Sequence, residues 1–550
     1  MFVAEVVGRT LAGLGAGHCF GVVGSGNFTV TNALRHHGVP FTAARHEGGA
    51  ATMADAYARV SGRVGLVSVH QGCGLTNAAT GIGEAAKSRT PLIVLAAEAA
   101  SSAVGSNFSM DQDGFARSVH AVPERIHSAR TAVADTVRAY RRAVNDRRTV
   151  VLNLPLDVQA QEVPETAAAP VAVPLSDPVR PGRASVSALA DRLEQAQRPV
   201  FIAGRGGRGA RKELLALAEY TGALVATSAV AKGLFNEEKF NLGISGGFSS
   251  PAAAELITGA DLLVGFGCAL NMWTMRHGHL IGPETAVVQV DLEDAALGAN
   301  RAVALGVLGD SAETAGAVLA ELLARGNAPR TGYRTDAVCR RMESIRWQDE
   351  ELADFSTDSR IDPRILTRRL DELLPRERIV AVDSGNFMGY PSQFLEVPDE
   401  NGFCFTQAFQ SIGLGLATAI GAAVARPDRL PVLGTGDGGF HMAVAELETA
   451  VRLELPLVCV VYNDAAYGAE VHHFGADNPQ ADMGTVVFPE TDAAAIGRGF
   501  GADGLTVRAL ADLDAVSDWL AAGPRRPLVI DAKIASDGGA WWLAEAFKGH

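Results

Sequence analysis

A carboxylate and an amide stand at a spacing that suits a metal. Gly436-Asp437-Gly438 follows the apolar run Leu430 to Leu433, and Asn463 closes the next apolar run, with 24 residues between it and Gly438. A helix-like stretch, Phe440 to Glu454, lies between them, with Pro456 as its stop. Two consecutive parallel strands would bring both oxygens to one carboxyl edge of a sheet, where open α/β sheets bind ligands. Oxygen donors from loops suit a hard divalent cation such as Mg²⁺ that also holds phosphate oxygens. Backbone N–H groups at the following helix N-terminus add an anion cradle. In the first third of the chain, Arg45-His46-Glu47-Gly48-Gly49-Ala50 puts a glutamate at the start of a second helix, Ala51 to Val60, where the helix dipole favours the charged form.

The GDG…N spacing resembles the signature of thiamine diphosphate enzymes, and Arg45 to Ala50 resembles their RHE-x-x-A segment. That resemblance implies that Glu47 hydrogen-bonds N1′ of the aminopyrimidine, so that the 4′-amino group can become an imine and remove the thiazolium C2 proton. The cofactor carries the difficult step, and the protein supplies orientation and electrostatics. The metal ligands implied are Asp437, Asn463 and the carbonyl of Ala465, with Asp464 in place of the family's frequent second Asn.

Other stretches extend the likeness to the acetolactate synthase/benzoylformate decarboxylase superfamily over about residues 1 to 535. Ser68 to Asn77 resembles the GPG-x-TN loop, with Cys73 where Pro is usual, and Asn77 is assigned to cofactor binding. By offset, His70 matches the active-site His of benzoylformate decarboxylase, and Ser25 matches its substrate-binding Ser. Asn153 to Gln159 resembles the ending of the synthase first domain, and Gln112 lies near that family's F-Q-E Gln, although the bare residue reads equally as a surface Gln. Asp383-Ser384-Gly385-Asn386 resembles the loop that helps hold the diphosphate, with Ser384, Gly385 and Asn386 as contacts. In Gln410 to Gly415, Ile412 takes the place of the bulky wedge beneath the bent cofactor, and the carbonyl of Gln410 would accept from the 4′-amino group. Gly436, Gly438, Gly439, Tyr467 and Gly468 complete the cofactor contacts, and Tyr467-x-x-Glu470 is similar to the Y-T-x-E of pyruvate decarboxylases, whose Glu assists protonation.

These groups need sheets to carry them. Short Val/Ile-rich runs alternate with Ala/Leu-rich helical stretches, which predicts an α/β chain of three doubly wound parallel-sheet domains. The expected division is a pyrimidine-binding domain at 1–165, a central Rossmann-like domain at 183–330 and a diphosphate- and Mg-binding domain at 360–535. A Pro/Ala/Val-rich linker runs from Gln159 to Ala184, a polar helical stretch reaches Ser359, and the tail 536–550, with Trp541 and Trp542, is expected to form a lid. In the central domain, Gly204-Arg205-Gly206-Gly207-Arg208-Gly209 is a literal G-x-G-x-x-G after a strand, which leaves an NAD(P)-dependent dehydrogenase as the alternative of another class. The following strand, however, ends without a ribose-binding acid. The family's R-F-D-D-R stretch is replaced by Cys268 to Trp273, which counts against FAD; a FAD-containing acetolactate synthase proper stays as an alternative, and FAD, ADP or no ligand remain open for this domain.

At 550 residues and a net charge of −14 without a basic block, nucleic acid and anionic membranes are excluded as partners. Six scattered cysteines without a CxxC pair, and an N-terminus without a signal peptide pattern, predict a cytoplasmic protein. The uncharged stretch Ala408 to Ala425 reads as a buried helix beside a ligand. The resemblance implies a homodimer or homotetramer with sites between subunits. Its implied reaction is decarboxylation of a small 2-oxo acid, with the resulting enamine protonated to an aldehyde or joined to a second carbonyl.

Overall fold

The computed structural model describes residues 1–164, 176–478, 480–540 and 543. The middle of the expected linker and both tail tryptophans lie outside the described residues. Eighteen strands form three six-stranded, all-parallel sheets with helices against their faces, which is the α/β class the alternating pattern predicted. Parallel sheets covered on both faces require strands that are apolar throughout. Thr149–Pro155 and Leu92–Glu98 meet that need, with nearly every residue buried.

The first sheet comprises β1 (His18–Gly21), β2 (Phe41–Ala43), β3 (Gly65–Val69), β4 (Leu92–Glu98), β5 (Val122–Arg125) and β6 (Thr149–Pro155), in the order β2-β1-β3-β4-β6-β5. The second comprises β7 (Pro199–Ala203), β8 (Leu224–Thr227), β9 (Asn241–Ile244), β10 (Leu262–Phe266), β11 (Ala286–Asp291) and β12 (Leu305–Leu308), in the order β12-β11-β10-β7-β8-β9. That is the dinucleotide-fold order, with its switch point between β7 and β10. The third comprises β13 (Arg378–Val382), β14 (Phe403–Phe405), β15 (Leu430–Gly436), β16 (Val458–Asn463), β17 (Asp503–Val507) and β18 (Leu528–Lys533). Its order, β14-β13-β15-β16-β18-β17, repeats that of the first sheet.

The first and third sheets meet through the helices that follow their second strands. Glu47–Ser61 is an Ala-rich helix that ends at Gly62 in the left-handed conformation (φ 70°), a conformation glycine adopts without strain. It is buried on almost every side because Gly415–Ala425 crosses it, and a Cβ on Gly421 would overlap the Met53 carbonyl. Met53, Ala54, Leu416 and Ile420 share one core with both sheets.

Three helical expectations change in extent. The helix within 408–425 spans only Gly415–Ala425, because the segment before it turns at Gln410 (φ 58°) and Gly413 (φ 85°). The stretch after Asp437 divides into Asp437–Ala443 and Glu446–Arg452. The polar stretch before Ser359 is α-helical only over Asp336–Met342, since beyond it few apolar residues recur at helical spacing to hold a face against the core. No helix among the described residues is long and apolar enough to cross a membrane.

Candidate functional site

A cavity of ≈ 1140 Å³ opens between the carboxyl edges of the second and third sheets. In β15 and β16, Gly436 pairs with Tyr462, so Asp437 and Asn463 occupy the next position on neighbouring strands. Asp437 lines the cavity as the first residue of its helix, and its carboxylate accepts the Gly438 N–H at 2.9 Å. Asn463 lies fully buried behind the lining. Its amide nitrogen donates to Asp531 at 2.9 Å and to the Thr491 carbonyl, and its Oδ1 accepts the Ala465 N–H at 3.1 Å. Ala465 adopts a left-handed φ of 58°, and its carbonyl accepts the Phe488 N–H at 2.8 Å.

Two carboxylates share this edge. Burial, and next the charge of Asp437, pushes the Asp464 carboxyl up to about 7, and burial raises Asp437 as well. A divalent cation reverses that unfavourable local charge. Beside the acids the wall is bare. A Cβ on Gly438 would press into the Tyr467 ring at 2.6 Å, and one on Gly439 would strike Asp383. Hard oxygen donors next to a side-chain-free backbone fit a metal-bound diphosphate. Among the described residues no group of three or more His, Cys, Asp or Glu could hold a metal; the expected donor set has a single carboxylate, with an amide and a carbonyl as its other oxygens.

The remaining expected contacts of this domain gather at the same cavity. Ser384, Gly385 and Asn386 line it in the turn after β13, Gln410 and Ile412 in the turn after β14, and Tyr467, Gly468 and Glu470 at the start of the helix Gly468–Asp477. The Asn386 side-chain oxygen also accepts the Ala540 N–H at 2.9 Å, which ties the start of the tail to this turn. One residue that the sequence reading left unassigned organises the loops. Asp383 is fully buried and accepts N–H groups of Ser384 (2.8 Å) and Gly413 (3.0 Å) and the Thr435 hydroxyl (3.0 Å). Burial raises its pKa to about 6. Its place ahead of Ser384-Gly385-Asn386 was the available signal.

The other candidates cluster at the carboxyl edge of the first sheet and are absent from the cavity lining. Glu47 begins its helix, nine-tenths buried, and accepts from the Asn77 side chain at 3.0 Å. His70 follows β3. Its Nδ1 reaches the Gln71 carbonyl at 3.1 Å, which in the neutral ring puts the proton on Nδ1 and leaves Nε2 to accept from Ser25 Oγ at 3.4 Å. Gly74 joins the two pairs, since a Cβ there would sit 3.1 Å from His70 and 3.3 Å from Glu47. Gln112 is not a surface residue. It is buried, accepts the Gly72 N–H and donates to Asn153 at 2.8 Å, and so braces the loop that carries His70.

In the central domain, Gly204 and Gly206 lie so close to Gly267 and Cys268 that a Cβ on either would collide with that backbone. The packing of the turns after β7 and β10 thus accounts for the first two glycines of the motif, while a Cβ on Gly209 would meet nothing within 4 Å. Cys268 to Trp273, apart from Leu270, line the cavity.

The sequence matches three families: Thiamine pyrophosphate enzyme, N-terminal TPP binding domain over residues 1–121; Thiamine pyrophosphate enzyme, central domain over 186–319; and Thiamine pyrophosphate enzyme, C-terminal TPP binding domain over 383–532. A probable 2-ketoarginine decarboxylase of Pseudomonas aeruginosa is 30% identical over 94% of this chain and 90% of its own length. The chain belongs to the thiamine pyrophosphate enzymes. Within that family it is also similar to a sulfoacetaldehyde acetyltransferase of Alcaligenes xylosoxydans xylosoxydans (29% identity, 86% of this chain, 82% of that protein). A probable acetolactate synthase large subunit of Methanocaldococcus jannaschii is 27% identical over 84% of this chain and 80% of its own length. This thiamine pyrophosphate enzyme therefore carries all three domains of its family, and FAD finds no support in the comparisons.

Proposed function

We propose that this enzyme uses thiamine diphosphate and Mg²⁺ to break or form the carbon–carbon bond next to a carbonyl, acting as a decarboxylase or carboligase on a 2-oxo acid. The reading rests on one observation: Asp437, the bare turn Gly438-Gly439, Gln410, Ile412 and Glu470 surround a single cavity at the carboxyl edge of the third sheet. On this reading residues 1–165 bind the pyrimidine, 360–535 bind diphosphate and metal, and 183–330 form the central unit.

When bound, thiamine diphosphate supplies a thiazolium that accepts the electron pair released as the bond next to the carbonyl breaks. Asp437, Asn463 and the Ala465 carbonyl would hold Mg²⁺, which would neutralise charge on the cofactor's diphosphate. Ser384, Gly385, Asn386, Gly436, Gly438, Gly439, Tyr467 and Gly468 surround the diphosphate end. Ile412 supports the cofactor from beneath, and the Gln410 carbonyl orients its amino group. Glu47, steadied by Asn77, holds the proton at pyrimidine N1′. His70 Nε2, hydrogen-bonded to Ser25, takes and returns protons at the substrate oxygen, while Ser25 contacts the substrate carboxylate or carbonyl. Glu470, which lines the cavity, would donate a proton at the reacting centre.

Glu47 and His70 lie outside the cavity of their own chain, which supports a site completed by a second copy in a homodimer or homotetramer. The relatives named sulfoacetaldehyde acetyltransferase support a second outcome at the same centre, transfer of the cleaved acyl fragment. Proton NMR of the protein with thiamine diphosphate, Mg²⁺ and a panel of 2-oxo acids tests the reading. The panel spans pyruvate, branched-chain, aryl and guanidino members, with sulfoacetaldehyde as an added acceptor. An aldehyde, hydroxy ketone or acyl product made by wild type and not by Glu47→Gln supports it; no turnover of any member overturns the 2-oxo acid assignment.

A further inference from the structure

Two buried carboxylates with no part in the proposed cofactor contacts lie on corresponding helices of the first and third domains. Glu446 starts the second helix after β15. Its Oε1 accepts the N–H of Arg45 at 3.0 Å and of His46 at 2.9 Å, and its Oε2 accepts from the Thr449 hydroxyl at 2.7 Å. Glu84 lies in Ala79–Lys87, the second helix after β3. Its Oε1 accepts the Ala408 N–H at 3.0 Å and its Oε2 the Phe409 N–H at 2.6 Å. Arg45 and His46 immediately precede Glu47, and Ala408 and Phe409 precede Gln410 by the same step. Each domain thus grips the dipeptide ahead of the residue by which the other addresses the cofactor.

The surroundings are built for this grip. Gly49 leaves room for Glu446, since a Cβ there would stand 2.8 Å from its carboxyl carbon, and Gly83 leaves room for the Phe409 ring at 2.9 Å. Both carboxylates are buried, so each N–H bond to a charged acceptor is strong and costly to lose. Gln410 is held at φ 58°, where a non-glycine residue persists only if its neighbours fix it. Glu47 must meet N1′ within a few tenths of an ångström, and its helix starts where Glu446 holds the backbone.

We propose that Glu84 and Glu446 are positioning residues, a reciprocal clamp in which each fixes the backbone segment that presents Gln410 or Glu47 to the cofactor. The proposal rests on the thiamine diphosphate reading above. It separates into two claims, that the carboxylates immobilise these segments and that the immobilisation matters to catalysis.

The test uses the full-length protein and the nearly isosteric variants Glu84→Gln and Glu446→Gln, with the alanine variants as a second pair. Three properties are read: hydrogen–deuterium exchange over 45–46 and 408–409 without cofactor, the near-ultraviolet circular dichroism of bound thiamine diphosphate, and kcat and KM for the acid found by NMR. Glu84→Gln is expected to speed exchange at 408–409, to alter the cofactor dichroism and to lower kcat roughly tenfold with KM little changed, the factor expected for one charge-assisted hydrogen bond. Glu446→Gln is expected to do the same through 45–46. Faster exchange with unchanged dichroism and kcat would make the pair structural glue and overturn the proposal, and unchanged exchange would overturn the clamp itself. A wild type without any cofactor signal would bring down the functional reading and the clamp's role with it; a normal wild-type signal that persists in the variants removes the clamp alone.

Discussion

The first and third sheets run their strands in the same order, yet their carboxyl edges offer different chemistry. After β1 the chain reads Gly24-Ser25-Gly26-Asn27, and after β13 it reads Asp383-Ser384-Gly385-Asn386. In the third domain the leading Asp ties the loops at 384 and 413 together; in the first, Gly24 leaves space for the His70 ring, which a Cβ would overlap. After β3 stands His70, and after β15 stands Asp437. On the proposed reading, one scaffold thus carries proton-handling side chains on one copy and an oxygen-donor cradle on the other. The strands fix where a loop residue stands, and the loop residue decides what it does there.

The contrast predicts that damage to the two edges has different signatures. Asp437→Ala is expected to have the largest effect, because it removes the carboxylate proposed to hold the metal. Wild type should gain about 2.7 kcal/mol of stability with thiamine diphosphate and Mg²⁺ at 100 times Kd, and the variant should gain none, as read by thermal shift. If Asp437→Ala kept that gain, the third edge would not be the cradle. Glu47→Gln should keep the thermal shift and lose about 10²–10⁴ in kcat, the range for one proton-transfer group. Loss of binding instead would move Glu47 into the cradle class and erase the distinction. His70→Ala should fall at the lower end of that range, about 10²-fold in kcat, and Ser25→Ala should act mainly on KM, both by steady-state kinetics.

The smallest effect separates the two clamp carboxylates by pH. Burial opposes ionisation of Glu84, but Arg59 and the Phe409 and Ala408 N–H groups outweigh it, and its pKa lies below the usual glutamate value of 4.5. Glu84 therefore adds stability that is present above pH 4.5 and is lost as pH falls through its lowered pKa in the folded state. Among the described residues Glu446 has no cation in hydrogen-bond contact. Burial raises its pKa despite Thr449, His46 and Arg45, so its titration favours folding below pH 4.5 and loses that contribution as pH rises through the raised value. Denaturation midpoints from pH 4 to 8 should show Glu84→Gln costing most near neutrality and Glu446→Gln costing most under acid conditions. Parallel pH curves for the two variants would remove the asymmetry.

Much of this was legible in the chain itself because the signals are local. A Gly-rich turn between an apolar run and a helix places Asp437 at a strand end whatever surrounds it, and the same holds for Glu47 at the start of its helix and for His70 after β3. Helix extents were less legible. Val444 and Ala445 interrupt the stretch after Asp437 without Pro or Gly to announce it, and the turn before Gly415 depends on Gln410 adopting a conformation its type disfavours. The bare sequence leaves Gln112 evenly divided between a surface residue and a family match, and only the fold shows it buried beneath its loop.

The sequence by itself determined the three α/β units, the thiamine diphosphate resemblance and the residue types at each strand end, since strand period, turn chemistry and motif spacing all act over short separations. Only the tertiary structure decided which side chains meet: Ser25 with His70, Glu47 with Asn77, Asp383 with Gly413, and Glu446 with residues 45 and 46 some four hundred positions away. Those pairings depend on how sheets and helices pack, and packing is a property of the whole surface each element buries rather than of any spacing along the chain.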